Sequence, residues 1–212
     1  MAALPRVTPI VAVARDDPFD DPEWLFEPKY DGFRGLLYVT SGDCWFRSRR
    51  GHVLERFREL CHWVREELPV REAILDGEIV SLDASGRQNF RDLLGGRGNL
   101  HYAAFDALWV EGKDLRLLPL QRRKRALHRL VWASSTVLSQ VFWIEERGRD
   151  VFAAAERLGI EGIVAKRLAD PYVPGETVWY KVRNRAYRDR DGRWELFQQR
   201  RAARRAARKS GS

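Results

Sequence analysis

Glu27-Pro28-Lys29-Tyr30-Asp31-Gly32-Phe33-Arg34 is the stretch on which the reading of this 212-residue chain turns. It frames one lysine with acids, a proline, a glycine and an arginine, in a chain where lysine is scarce. Of 38 Lys and Arg residues, only Lys29, Lys113, Lys124, Lys166, Lys181 and Lys209 are lysine. Arginine stays protonated in proteins, whereas lysine, with a reference pKa of about 10.4, can be tuned into a neutral amine nucleophile. Pro28 biases Glu27 toward extended backbone, and Gly32 permits a close or positive-φ backbone approach, so Lys29 is predicted at a strand end. A lysine so placed points to covalent chemistry.

Working outward, residues 1–22 read as an irregular lead-in, because Pro5, Pro9, Pro18 and Pro22 interrupt every possible helix. The body begins near Glu23. Alternation through Phe33, Leu37 and Val39, then Trp45 and Phe46, predicts a strand pair turned at Ser41-Gly42-Asp43. Leu54, Phe57, Leu60, Cys61, Val64 and Leu68 mark an amphipathic helix ended by Pro69. Strands are predicted over 73–82, 101–110, 137–144, 162–167 and 179–183, with helices over 120–131 and 151–158 and a flexible loop at 95–98. Mixed strands with intervening helices point to an α+β architecture rather than a regular parallel array. The segments are a lead-in (1–22), a catalytic body (23–185) and a basic, helical tail (186–212).

Composition narrows the class. Hydrophobic residues at 44% are enough for a real core. No apolar run approaches a membrane span, and Asp16, Asp17, Asp20 and Asp21 are unlike a signal peptide, so a soluble cytoplasmic protein without membrane contact is expected. Cys44 and Cys61 are too few for a disulfide framework and read as reduced and inert. The net charge of +8 sits in the tail: residues 181–212 carry +9 and the rest −1. There Arg200, Arg201, Arg204, Arg205 and Arg208 recur at helical spacing with alanines between them. Such an arginine face suits phosphate neutralisation along a nucleic acid; the alternative is a solvated basic terminus.

Further stretches repeat the theme. Ser48-Arg49-Arg50-Gly51, Leu75-Asp76-Gly77-Glu78-Ile79, Phe105-Asp106-Ala107-Leu108, Glu161-Gly162-Ile163-Val164-Ala165-Lys166 and Trp179-Tyr180-Lys181-Val182-Arg183 follow the opening octamer in order. Together they resemble the nucleotidyltransferase motifs of ATP-dependent DNA ligases, over most of the chain. The resemblance implies a mixed, mainly antiparallel, ATP-grasp-like nucleotidyltransferase domain in which Lys29 is adenylated by ATP. It implies a catalytic set of Lys29, Asp31, Lys166 and Lys181, with nucleotide contacts from Glu27, Arg34, Arg49, Glu78, Phe105, Ile163 and Arg183. Phe105 would stack on the purine, Lys166 and Lys181 would meet the α-phosphate, and Glu78 and Glu161 would stand beside magnesium, with manganese as a substitute. Arg183 stands where the family more often has lysine.

The chemistry agrees with this reading. Neighbouring cations and partial burial disfavour a charged Lys29, and the same cations neutralise the phosphate under attack. The family usually adds an oligonucleotide-binding β-barrel, for which the 29 residues after Arg183 are too few. The expectation is thus a monomeric ligase lacking that barrel, acting on DNA with nicks or broken ends, with closure of the site supplied by a separate DNA-binding or end-joining protein. Alternatives are an RNA ligase of the same superfamily and a catalytically silent nucleic-acid-binding accessory module.

Overall fold

A computed structural model describes residues 4–95, 98–131 and 135–189. Two sheets form its frame. The first runs β1 (Val13–Ala14), β11 (Tyr180–Arg183), β10 (Gly162–Arg167), β2 (Asp21–Pro28), β9 (Ile144–Glu146). The second runs β4 (Cys44–Arg47), β3 (Phe33–Val39), β5 (Ala73–Leu82), β6 (Asn99–Val110), β7 (Lys113–Asp114). β8 (Leu138–Gln140) pairs in parallel with β6, and β1 pairs in parallel with β11; every other pairing is antiparallel. The helices are α1 (Arg58–Glu67), α2 (Phe90–Gly95), α3 (Leu120–His128) and α4 (Gly148–Leu158). The class is α+β with mainly antiparallel sheets, and no strands close into a barrel among the described residues.

Strand β3 shows why the second sheet is buried on both faces. Leu37 and Val39 point to the side of α1, where they meet Phe46, Phe57, Leu60, Cys61 and Val64. Leu36 and Tyr38 point the other way, into a cluster with Ile74, Phe105, Leu108, Val141, Tyr172 and Trp179. Period-2 geometry sends alternate side chains to opposite faces, so a strand covered on both sides reads as a continuous apolar run. Each such side chain stabilises the fold by roughly 1.5–3 kcal/mol, and truncating Leu37 to alanine would cost about 2–5 kcal/mol. A third cluster, Phe26, Val151, Ala155, Ile163, Ala165 and Val182, seats α4 on the first sheet. The cavity of interest lies between the two sheets.

Several predicted elements change shape. The lead-in contains β1 and the start of β2, and Val7 and Ile10 are buried. Prolines exclude a helix there but not a strap: Val7 N donates to Tyr38 Oη and Ile10 N to Tyr172 Oη. The strand expected over 137–144 is two strands, β8 on the second sheet and β9 on the first. The chain crosses between sheets after Val141, whose N–H bonds to Ala104 O. Helix α3 stops at His128, and α4 starts earlier, at Gly148, and ends on Gly159 in the left-handed conformation (φ 67°). Helix α2 was not anticipated. Cys44 and Cys61 are free and buried, and burial pushes both thiols up. Residues 185–189 form a 3-10 turn; Arg200, Arg201, Arg204, Arg205 and Arg208 lie outside the described residues.

Candidate active site

Lys29 follows the last residue of β2, and its backbone N–H bonds to Gly162 O (2.8 Å), tying the strand end to the start of β10. Its Nζ lies 2.5 Å from Oε2 of Glu161, the residue before β10. Two glycines make this approach possible. A Cβ on Gly32 would stand 2.1 Å from Ile79 O, and one on Gly162, at φ 143°, 2.1 Å from Val182 O. Any side chain at either position would push the strands apart beside Lys29.

Glu27, two residues earlier and on the same face of β2, is buried between two lysines. Lys124 donates to Oε1, and Lys166 Nζ lies 2.6 Å from Oε2. Burial alone would raise this carboxyl, but the ammonium groups of Lys124 and Lys166 more than reverse that, holding it below the usual carboxylate range. Lys166 is pressed between aromatic rings, 4.1 Å from the centroids of both Phe105 and Trp179. Burial brings its pKa down to about 8, against the pull of Glu27.

On the opposite wall, Arg34 forms a two-pronged pair with Asp76 (2.6 Å at each oxygen) and lies 4.6 Å above the Phe105 ring. Asp76 also accepts from Tyr172 Oη (2.6 Å). Burial would lower the Arg34 pKa, but Asp76 more than compensates, so the guanidinium is a fixed cation. Glu78 sits across the ladder from Arg34. Burial pushes its carboxyl up to about 7; Arg34 and Lys29 oppose the rise while Glu161 and Asp76 add to it.

These side chains line one cavity of about 110 Å³, walled by Glu27, Lys29, Arg34, Glu78, Phe105, Lys166 and Lys181, with Ala12, Tyr30, Val141, Val164 and Trp179. Lys181 is lowered by burial and by the charges of Arg183, Lys29 and Arg49. Three lysines, one arginine and an aromatic floor suit a polyphosphate joined to a flat base. Among the described residues no cluster of three or more His, Cys, Asp or Glu forms. A divalent ion here would take one or two carboxylates and keep several waters, the habit of magnesium. Glu78, whose carboxyl burial and like charges hold partly protonated, fits a position that a cation would satisfy.

A family match decides what such a cavity belongs to: residues 17–183 match the ATP dependent DNA ligase domain. The chain belongs to the ATP-dependent DNA ligase family. It is 32% identical over 209 residues to DNA ligase C1 of Mycolicibacterium smegmatis, covering 88% of this chain and 58% of the relative. It is 36% identical over 157 residues to the multifunctional non-homologous end joining protein LigD of Pseudomonas aeruginosa, covering 71% of this chain and 19% of that protein. Among solved structures, mycobacterial DNA ligase D complexed with ATP and MES superposes with a TM-score of 0.69 at 29% identity, over 84% of this chain and 60% of that one. The chain thus spans under two thirds of these relatives' lengths.

Not every expected residue of this ligase domain meets the cavity. Ile163 packs with Phe26 and Val182 in the α4-side core, while its neighbour Val164 faces the pocket, as strand alternation requires. Arg49 and Arg183 are exposed outside the wall and act on Lys181 by charge alone. Asp31 is buried beside the site, its N–H bonded to Gln88 Oε1 and its Oδ2 accepting from Tyr187 Oη. Trp179 and the strap residue Ala12 line the cavity without having been expected there, and Lys124, also not expected, reaches Glu27 from outside it. A sequence signal exists for Lys124: Leu120, Arg123, Lys124 and Leu127 are at i, i+3, i+4, i+7, so both cations sit on the apolar stripe of α3.

Proposed function

We propose that this chain is an ATP-dependent DNA ligase that forms a lysyl-adenylate on Lys29, passes AMP to a 5′-phosphate and seals nicks in DNA repair or end joining. The observation that carries the reading is Lys29 Nζ held 2.5 Å from Glu161 in the wall of a cavity that also presents Lys166, Lys181 and Arg34.

In the first step Lys29 Nζ attacks the α-phosphorus of ATP, the bond to pyrophosphate breaks, and Glu161 is in hydrogen-bond reach to take the amine proton. Lys181 and Lys166 supply positive charge for the phosphate oxygens, and Phe105 offers the purine a stacking face. Glu78 and Glu161 would hold magnesium, or manganese in its place, which when bound draws charge from the phosphate oxygens. In the second step a 5′-phosphate oxygen displaces Lys29 from the AMP phosphorus, and the amine regains its proton. In the third, a 3′-hydroxyl attacks that 5′-phosphate and AMP leaves.

DNA with nicks or broken ends is the substrate this reading assigns; relatives named for end joining support it. A separate DNA-binding or end-joining protein would help close the site over a monomeric chain in the cytoplasm. The test is sealing of a 5′-phosphorylated nick with ATP and magnesium, beside a pre-adenylated nick. The wild type should seal both, and Lys29→Ala only the pre-adenylated one. Failure of the wild type on both would overturn the ligase reading and favour a silent accessory module.

A further inference from the structure

Glu27 is 2% exposed and serves two lysines, Lys124 from α3 and Lys166 from β10, each 1% exposed. The other buried ion pairs nearby are balanced. Asp106 of β6 is taken by both prongs of Arg123, and Asp76 of β5 by both prongs of Arg34. Glu27 is thus the one carboxylate for two ammonium groups, and the cluster carries a surplus positive charge. Lys166 lines the cavity and Lys124 does not, so the surplus faces the cavity. Lys166 Nζ, despite lying 2.6 Å from Glu27, makes no well-directed hydrogen bond, while Lys124 donates to Glu27 and lies 4.8 Å from the ring centroid of Trp143.

We propose that Lys124 is a positioning residue for the nucleotide site: by taking one oxygen of Glu27 it fixes that carboxylate and leaves Lys166 with ammonium charge and donors for the nucleotide. This rests on the reading of the cavity as an ATP site. Without Lys124, Glu27 is free to turn both oxygens to Lys166 and quench its charge. Such a change weakens nucleotide capture but leaves the chemistry at Lys29, which is held by Glu161, largely intact.

Protonation adds a signature. The charged groups facing Lys166 are Glu27 from β2, Lys124 from α3, Asp106 from β6 and, across the Phe105 and Trp179 rings, Arg34 from β3; Lys29, Lys181 and the carboxyl of Glu78 share its cavity. Lys124 is the neighbour that lowers Lys166, so its removal lets Lys166 hold its proton to higher pH.

The experiment measures ATP dependence and pH dependence of adduct formation on the full chain, by intact mass, for wild type, Lys124→Met and Lys124→Arg, with melting curves alongside. For Lys124→Met the KM for ATP should rise about tenfold with kcat changed far less, the size of one lost charge-assisted contact. The alkaline fall in apparent ATP affinity, centred near 8 in the wild type, should move up. Lys124→Arg should restore both. Should Lys124→Met fail to fold, Lys124→Gln, which keeps a donor for Glu27, must show the same upward shift. A lower melting point with KM and pH profile unchanged would overturn the proposal and assign Lys124 a structural role. A wild type that binds no ATP would overturn the nucleotide reading itself, and the proposal with it.

Discussion

Arg123 and Lys124 are consecutive buried residues of α3 that end in two different kinds of ion cluster. Arg123 grips Asp106 with two bonds (2.8 and 3.0 Å) and donates through Nη1 to the carbonyls of Leu118 and Asp170. One cation meets one anion, and the pair is fully buried. Lys124 shares Glu27 with Lys166, and the second cation of that trio borders a cavity. The Arg123–Asp106 pair has no charge left over and does not line the cavity, so its role is to hold the fold together. The Glu27 trio has charge left over, and Lys166 presents it at the cavity wall.

The largest effect expected from breaking the comparison is on the balanced side. Arg123→Met strands Asp106 in the core and should cost about 3–5 kcal/mol of unfolding free energy by denaturant titration. A loss below about 1 kcal/mol would mean the pair is replaceable and the contrast with Lys124 false. On the unbalanced side the effect is on binding rather than folding. Phe105→Leu removes the ring that Lys166 and Arg34 stack on and should weaken ATP binding about fivefold, with stability lowered by only about 1 kcal/mol. ATP affinity unchanged by that substitution would remove Phe105 from the site.

A smaller effect sharpens the picture by pH. Glu78 has a folded pKa of about 7 against a usual 4.5, so the folded state binds its proton more tightly than the unfolded chain does. Its contribution is therefore full below pH 4.5 and is lost as pH rises toward 7. Over that window the loss amounts to at most about 3.5 kcal/mol. In Glu78→Gln this part of the stability-versus-pH slope should vanish, as read from melting curves between those two pH values. An identical slope in the variant would place the titration elsewhere.

The same contrast explains what could be read from the sequence. Lys29, Lys166 and Lys181 stood out because lysine is rare and because each falls in a motif of the family resemblance. Lys124 was hidden in Arg122-Arg123-Lys124-Arg125, which resembles a solvated charged face unless helical phase is applied residue by residue. The split of 137–144 into β8 and β9 was invisible for a related reason. Val137, Leu138, Val141, Phe142 and Ile144 make an apolar-rich stretch broken only by Ser139 and Gln140, and periodicity does not tell one sheet from two. The strap of Val7 and Ile10 depends on Tyr38 and Tyr172, far along the chain, so no local window contains it. A motif position does not state which face its side chain takes: Ile163 packs into the α4-side core, and its neighbour Val164 lines the cavity.

The most direct measurement is the mass of the intact chain after incubation with ATP and magnesium, followed by peptide mapping of any adduct. One AMP is expected, on Lys29, and none in Lys29→Ala. A wild-type chain that binds ATP but gains no AMP, or an adduct that survives in Lys29→Ala, would contradict a lysyl-adenylate on Lys29.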